Sequence, residues 1–160
     1  MTVEVLVLRE RAAGERRVAA TPETVRKLAA LGAHVWVQAG AGERAGLDDQ
    51  AYLDAGAHLA SDGTAAASDV VLSVQAPGLD LLGQLRSGSI VVGGLQLREG
   101  GEHDVLIKER QLLAFPLERL PRTTRAQAMD VLSSQASMAG YKATLIAAQL
   151  APRFFPMLTT

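Results

Sequence analysis

Residues 3–38, VEVLVLRERAAGERRVAATPETVRKLAALGAHVWVQ, decide the fold. Residues 3–8 form an apolar, β-branched run of strand character, and residues 34–38 form another. Between them Thr21-Pro22-Glu23 opens a helix. Threonine can cap it, proline suits the first helical position because no N–H is needed there, and an acid in the first turn faces the positive helix end. Gly32 closes it. A strand, a helix and a strand in this order predict a parallel pair joined by a right-handed crossover. The intervening RERAAGERR reads as a charged, solvated loop.

The same alternation continues outward. Helices are expected at residues 49–55, 61–68, 79–85 and 102–110, and strands at 58–59, 69–74, 89–95 and 112–115. This predicts an α/β fold: a doubly wound, mostly parallel sheet with helices on both faces, a flavodoxin- or Rossmann-like half-domain with a long C-terminal helix. Ligands of such sheets gather at the carboxyl ends of the strands. Those ends carry Arg9, Gln75, Gln96 and the loop at 121–130. After the second strand comes Gly40-Ala41-Gly42-Glu43-Arg44-Ala45-Gly46, which has one residue too many for G-x-G-x-x-G. It reads as a loop whose glycines serve backbone geometry. Asp48 and Asp49 read as helix caps.

Residues 121–141, PRTTRAQAMDVLSSQASMAGY, are the part that looks built for chemistry. Helical spacing starts near Gln127 and runs to about Leu150. Leu132, Ala136, Ala139, Ala143, Ile146 and Leu150 recur as a stripe expected to be buried. Gln127, Asp130, Ser133 or Ser134, and Ser137 make a second face, polar but short-chained, without the Lys and Glu of a solvated face. Arg122 and Arg125 stand upstream of the helix start, where cations oppose the helix dipole. Guanidinium forks, hydroxyls and free N–H groups together suit a phosphate or pyrophosphate.

Composition narrows the function classes. A chain of 160 residues with 48% hydrophobic content can bury a core of its own. A formal net charge of -1 argues against nucleic acid as a partner. With no cysteine, thiolate metal sites and disulfides are excluded. No apolar run approaches the roughly 20 residues of a membrane span, and the N-terminus lacks a signal-peptide pattern, so the expected location is the cytoplasm. His34, His58 and His103 show no ligand spacing, and no metal is expected. Ser133-Ser134 lacks a G-x-S-x-G elbow, which disfavours serine hydrolysis. The apolar terminus Phe154-Phe155-Pro156-Met157 suggests that something packs on it.

The run Arg122, Gln127, Asp130, Ser133 resembles the nicotinamide-side segment of the NAD(H)-binding alpha subunit of proton-translocating NAD(P) transhydrogenases, within the alanine dehydrogenase/transhydrogenase family. The likeness extends to RVAATP at 17–22, the Gly40 loop, VQAP at 74–77 and RFFPMLTT at 153–160. It implies that Arg122, Gln127, Asp130 and Ser133 bind NAD(H). Gln127 would be the residue nearest the chemistry, reaching toward NADP(H) on a partner beta subunit. Hydride transfer would be coupled to a proton-translocating membrane domain. The resemblance also implies a homodimer of full subunits, peripheral on the inner face of the membrane.

It further implies that residues 1–160 are the N-terminal half-domain of the subunit, with the second, Rossmann NAD-binding half-domain outside this chain. The chain is therefore expected to be a fragment, inactive and without tight NAD affinity alone. The alternatives are an alanine dehydrogenase-like half-domain and a non-catalytic dimerisation or regulatory module. In alanine dehydrogenases an Arg, a Lys and a His hold the 2-oxo acid. The Arg matches Arg17, but the Lys and His positions fall on Gln75 and Gln96. Neutral amides supply neither a cation for a carboxylate nor a proton at neutral pH. Transfer between two nicotinamides needs only positioning, so the transhydrogenase reading is favoured.

Overall fold

Alternating β-branched and aliphatic residues, each buried on a different face, make the strands of this chain. The computed structural model describes residues 2–121 and 123–153. They divide into two compact units, Met1–Leu117 and Glu118–Thr160.

The first unit is the doubly wound half-domain. Its strands are β1 (Glu4–Val7), β2 (His34–Val37), β3 (His58–Leu59), β4 (Val70–Gln75), β5 (Ile90–Gly94) and β6 (Leu113–Pro116). All the pairings are parallel, in the order β3-β2-β1-β4-β5-β6. Of the two expected variants this is the Rossmann order, which reverses direction between β1 and β4. The helices of the unit are α1 (Pro22–Ala30), α2 (Asp49–Asp54), α3 (Thr64–Ala67), α4 (Leu79–Gln84) and α5 (Glu102–Glu109).

The pleat of β1 sends successive residues to opposite faces. Val5 and Val7 join Val35 and Val37, with Val25 of α1 and Tyr52 of α2, in one core. Leu6 and Leu8 join Val71, Val91, Leu82 of α4 and Ile107 of α5 in the other. Burial on both faces is what a central parallel strand requires.

Local chemistry fixes the ends. Thr21 caps α1 by accepting from the Thr24 N–H, and Asp48 caps α2 by accepting from Ala51 N–H at 2.8 Å. Asp49 does something else: both its oxygens accept from the Gly40 N–H, at 2.9 and 3.1 Å. The glycine loop serves geometry, as its spacing suggests. Gly40 and Gly46 have φ of 71° and 80°. A Cβ on Gly42 would stand 2.6 Å from the Tyr52 ring. That ring is fully buried, and its hydroxyl donates to the Ala20 carbonyl at 2.8 Å.

The second unit holds a 3-10 turn, Gln127–Met129, and α6 (Val131–Leu150). Two expectations are corrected here. The α-helix starts at Val131, not near Gln127, because Asp130 leaves the helical region (φ −74°, ψ 93°) and becomes the N-cap. No residue of α6 is buried, so among the described residues the Leu132–Leu150 stripe is not a core stripe. Leu132, Ile146 and Leu150 are 58%, 44% and 77% exposed. Residues 154–160, where the apolar terminus falls, lie outside the described residues.

Candidate functional site

At the carboxyl ends of the strands, the loop read as solvated carries two buried acids, Glu10 and Glu15. Beyond Leu8, whose N–H still donates to the Leu72 carbonyl at 3.0 Å, the chain no longer follows β4, and the β4–β5 register shifts between Leu72 and Gln75. The Glu10 carboxylate takes over there, accepting from the N–H groups of Val74 at 2.6 Å and Gln75 at 3.1 Å. It satisfies donors that would otherwise be left without partners.

Glu15 closes a second network. The Arg17 guanidinium grips it in a fork, Nε to Oε1 at 2.7 Å and Nη2 to Oε2 at 2.6 Å. The Gln75 amide donates to Oε2 at 2.8 Å, and the Arg16 and Arg17 N–H groups donate to Oε1. The guanidinium bond holds the Glu15 carboxyl at about 2, against an ordinary 4.5, with burial opposing and the Gln75 and Arg17 N–H bonds assisting. Arg17 is raised in turn by Glu15. Gln96 reaches the same cluster, its amide donating to Gln75 Oε1 at 3.4 Å. Gln96 sits at φ 48°, in the left-handed region where a non-glycine residue is strained. Arg17, Gln75 and Gln96, far apart in sequence, are thus one cluster. Two guanidinium nitrogens are committed to an internal carboxylate.

The predicted cofactor residues lie in the second unit. Arg122 falls outside the described residues. Gln127, Asp130 and Ser133 line one cavity of ≈ 370 Å³, together with Thr123, Thr124 and Leu132 among others. Gln127 is exposed in the 3-10 turn. Asp130 Oδ1 accepts from the N–H groups of Leu132 at 3.0 Å and Ser133 at 3.2 Å, while Oδ2 accepts from the Ser133 hydroxyl at 2.6 Å. This changes the chemistry expected at the helix mouth. The N–H groups that would have met a phosphate are held by a carboxylate, which repels an anion. A neutral group with both donors and acceptors, such as a carboxamide, is suited to a wall of Gln127, Asp130 and Ser133.

Sequence reasoning missed Glu10 and Glu15, because acids in a loop rich in arginine look solvated. It also missed that His34 and His58 meet: their rings are 6.5 Å apart, and Trp36 lies 5.0 Å from His58. Glu4 accepts from both His34 and Trp36. Adjacent strands β2 and β3 bring them together. Among the described residues no group of three or more His, Cys, Asp or Glu side chains could hold a metal ion, and no helix is long and apolar enough to cross a membrane.

Residues 6–139 match the family model described as alanine dehydrogenase/PNT, N-terminal domain. The chain belongs to that family. It is 38% identical, over 99% of its own length, to the first portion of the NAD(P) transhydrogenase subunit alpha of Rhodospirillum rubrum, and covers 43% of that relative. Against alanine dehydrogenase 1 of Staphylococcus aureus the identity is 29% over 90% of the chain, covering 38% of the relative. The solved transhydrogenase of Sinorhizobium meliloti superposes with a TM-score of 0.88 at 39% identity, covering 98% of this chain and 47% of that one. An L-alanine dehydrogenase superposes at 0.79 with 26% identity, covering 92% and 40%. The chain therefore spans less than half the length of these relatives. The fold expected from the strand–helix alternation and the family expected from the resemblance both stand.

Proposed function

We propose that this chain is the N-terminal half-domain of the NAD(H)-binding alpha subunit of a proton-translocating NAD(P) transhydrogenase. Its residues hold the nicotinamide end of NAD(H), and a second, Rossmann half-domain in the remainder of the subunit holds the rest of the nucleotide. The observation that carries the reading is the shared cavity of Gln127, Asp130 and Ser133. Its donor set fits a neutral carboxamide, and its volume lies within the usual range for ligand sites, about 300–1,000 Å³. Arg122 is assigned to the same nucleotide from the sequence pattern. NAD(H) supplies the hydride chemistry when bound. The chain's role is to orient the ring, with Asp130 fixed by its hydrogen bonds and Gln127 left exposed toward an NADP(H)-binding beta subunit.

The same reading places the full subunits as a homodimer, peripheral on the inner face of the membrane beside the translocating domain. An amino-acid dehydrogenase is disfavoured because Gln75 and Gln96 stand where a cation and a proton carrier are needed, and Arg17 is gripped by Glu15. The test is a pair of assays on the complete assembled protein. Hydride transfer between NADH and an NADP analogue is expected, and NAD-dependent oxidation of alanine is not. The reverse pattern would overturn the proposal. Calorimetry on residues 1–160 alone is expected to show no micromolar binding of NADH, since the cradle for the rest of the nucleotide is assigned elsewhere.

A further inference from the structure

A basin of ≈ 560 Å³ opens over the carboxyl ends of β1, β2 and β3, wholly within the first unit, and none of the nicotinamide-side residues lines it. Three arginines do: Arg9, Arg11 and Arg44. The Arg9 backbone N–H donates to Gln38 Oε1 at 2.8 Å, which anchors the stretch after β1 to the end of β2. Arg44 donates from Nη1 to the Glu15 carbonyl at 3.3 Å, and its backbone carbonyl accepts from Arg16 Nε at 3.3 Å, so its guanidinium and its backbone are each tied once. The Arg9 side chain has no hydrogen-bond or ion-pair partner among the described residues. The carboxylate nearest Arg11 is Asp80 at 3.6 Å, with both side chains mostly exposed, a contact of little worth.

The acids of the basin offset these charges only in part. Glu10 keeps its negative charge while its oxygens accept from the N–H groups of Val74 and Gln75. Asp62 is the other acid on the lining, against three arginines. The place also matters: the basin stands over strand carboxyl ends, where ligands of open parallel sheets bind.

From this geometry we infer that the basin is a binding site for a phosphate group, with Arg9, Arg11 and Arg44 as its cationic walls and the Gln38 amide as a neutral donor. Three planar forks present more donors than one carboxylate has oxygens, and a phosphate with three peripheral oxygens matches them better. The volume leaves room for the organic portion of a phosphate ester. None of the nicotinamide-side residues lines it, and the inference does not depend on the reading given to them.

The test is titration of the full 160-residue chain with inorganic phosphate, AMP and adenosine, followed by calorimetry or by ³¹P and amide chemical shifts. Saturable binding of phosphate or AMP, weakened by added salt, is expected, with shifts centred on Arg9, Gln38 and Arg44. AMP binding more tightly than phosphate while adenosine does not bind assigns an ester. Equal binding of phosphate and AMP assigns the free ion. Arg9→Gln removes a side chain that no described contact uses, so folding is preserved and affinity is expected to fall about ten-fold, as for one lost charge-assisted hydrogen bond. Gln38→Glu keeps the acceptor for the Arg9 N–H, adds a negative charge, and is expected to abolish binding. No saturable binding of either anion, or binding unchanged in both variants, would overturn the inference. So would equal loss on Arg125→Gln, a cation outside the basin.

Discussion

The two units of this chain are held by different means. In the sheet unit the central strands are buried on both faces, and Tyr52, Val25 and Leu6 are at most 1% exposed. In the C-terminal unit a helix of 20 residues has none buried, and an aspartate cap fixes its start. Stability in the first resides in packing. In the second it resides in backbone hydrogen bonds and one cap, which are worth much less. A helix apolar on several sides is ordinarily covered by other protein, and the proposed second half-domain is the cover that this reading assigns. The chemistry is divided the same way. The packed unit positions a closed carboxylate–guanidinium–amide cluster, while the exposed unit carries the residues proposed to meet the nicotinamide.

The contrast can be broken most forcefully at Tyr52. Tyr52→Ala opens a cavity under α2 and orphans the Ala20 carbonyl, at an expected cost of about 3–5 kcal/mol. Urea unfolding followed by the fluorescence of the single tryptophan, Trp36, measures it. A loss under about 1 kcal/mol would mean that the sheet unit is not held by packing.

Glu15 gives a smaller effect with a distinct pH signature. Its carboxyl titrates lower in the folded chain, at about 2 rather than 4.5, so its contribution is present above its unfolded value and is lost as pH falls from 4.5 through 2. Arg17 is half exposed, which reduces the expected gain to about 1–2 kcal/mol. Glu15→Gln should lower stability at neutral pH by this amount. Its stability curve should also be flatter than that of the unaltered chain between these two pH values. Parallel curves would show that the Glu15 network contributes nothing to stability.

Asp130→Ala deletes the cap of α6 and is expected to cost about 1 kcal/mol locally. It should read out as faster hydrogen exchange at the first turn of residues 131–150, with the sheet unit unchanged. Asp130→Asn, which keeps an acceptor, should exchange more slowly than Asp130→Ala. Smallest of all, Leu145→Lys replaces an exposed leucine and should stay within about 0.5 kcal/mol of the unaltered chain. A large loss there would show that α6 is buried in solution.

Most of the fold was legible because each element declares itself locally. Thr21-Pro22, Asp48 and the β-branched runs act within a few residues, and strand alternation with helices leaves few topologies open. The start of α6 was not legible, because Asp130 satisfies both a helical and a capping pattern, and only its backbone angles decide. Nor could the stripe of Leu132 and Ile146 be seen to be exposed, since periodicity gives a face and not its partner. Gln127, Asp130 and Ser133 meet in one cavity because they are close neighbours in sequence. Glu10 was hidden because its partner Val74 stands 64 residues away, and the burial of Glu15 beside its neighbour Arg17 was hidden because Gln75, which completes the network, stands 60 residues away; long-range pairing leaves no local mark.

The proposed role of the nicotinamide-side cavity is tested most directly by the turnover of the complete assembled protein carrying Gln127→Ala. Gln127 is exposed and takes no share in the cap, so the fold and the hydrogen bonds of Asp130 should remain. The rate of hydride transfer from NADH to the NADP analogue is predicted to fall by at least about ten-fold, the value of about 1.4 kcal/mol of lost positioning, while NADH affinity changes little. An unchanged rate would contradict the assignment.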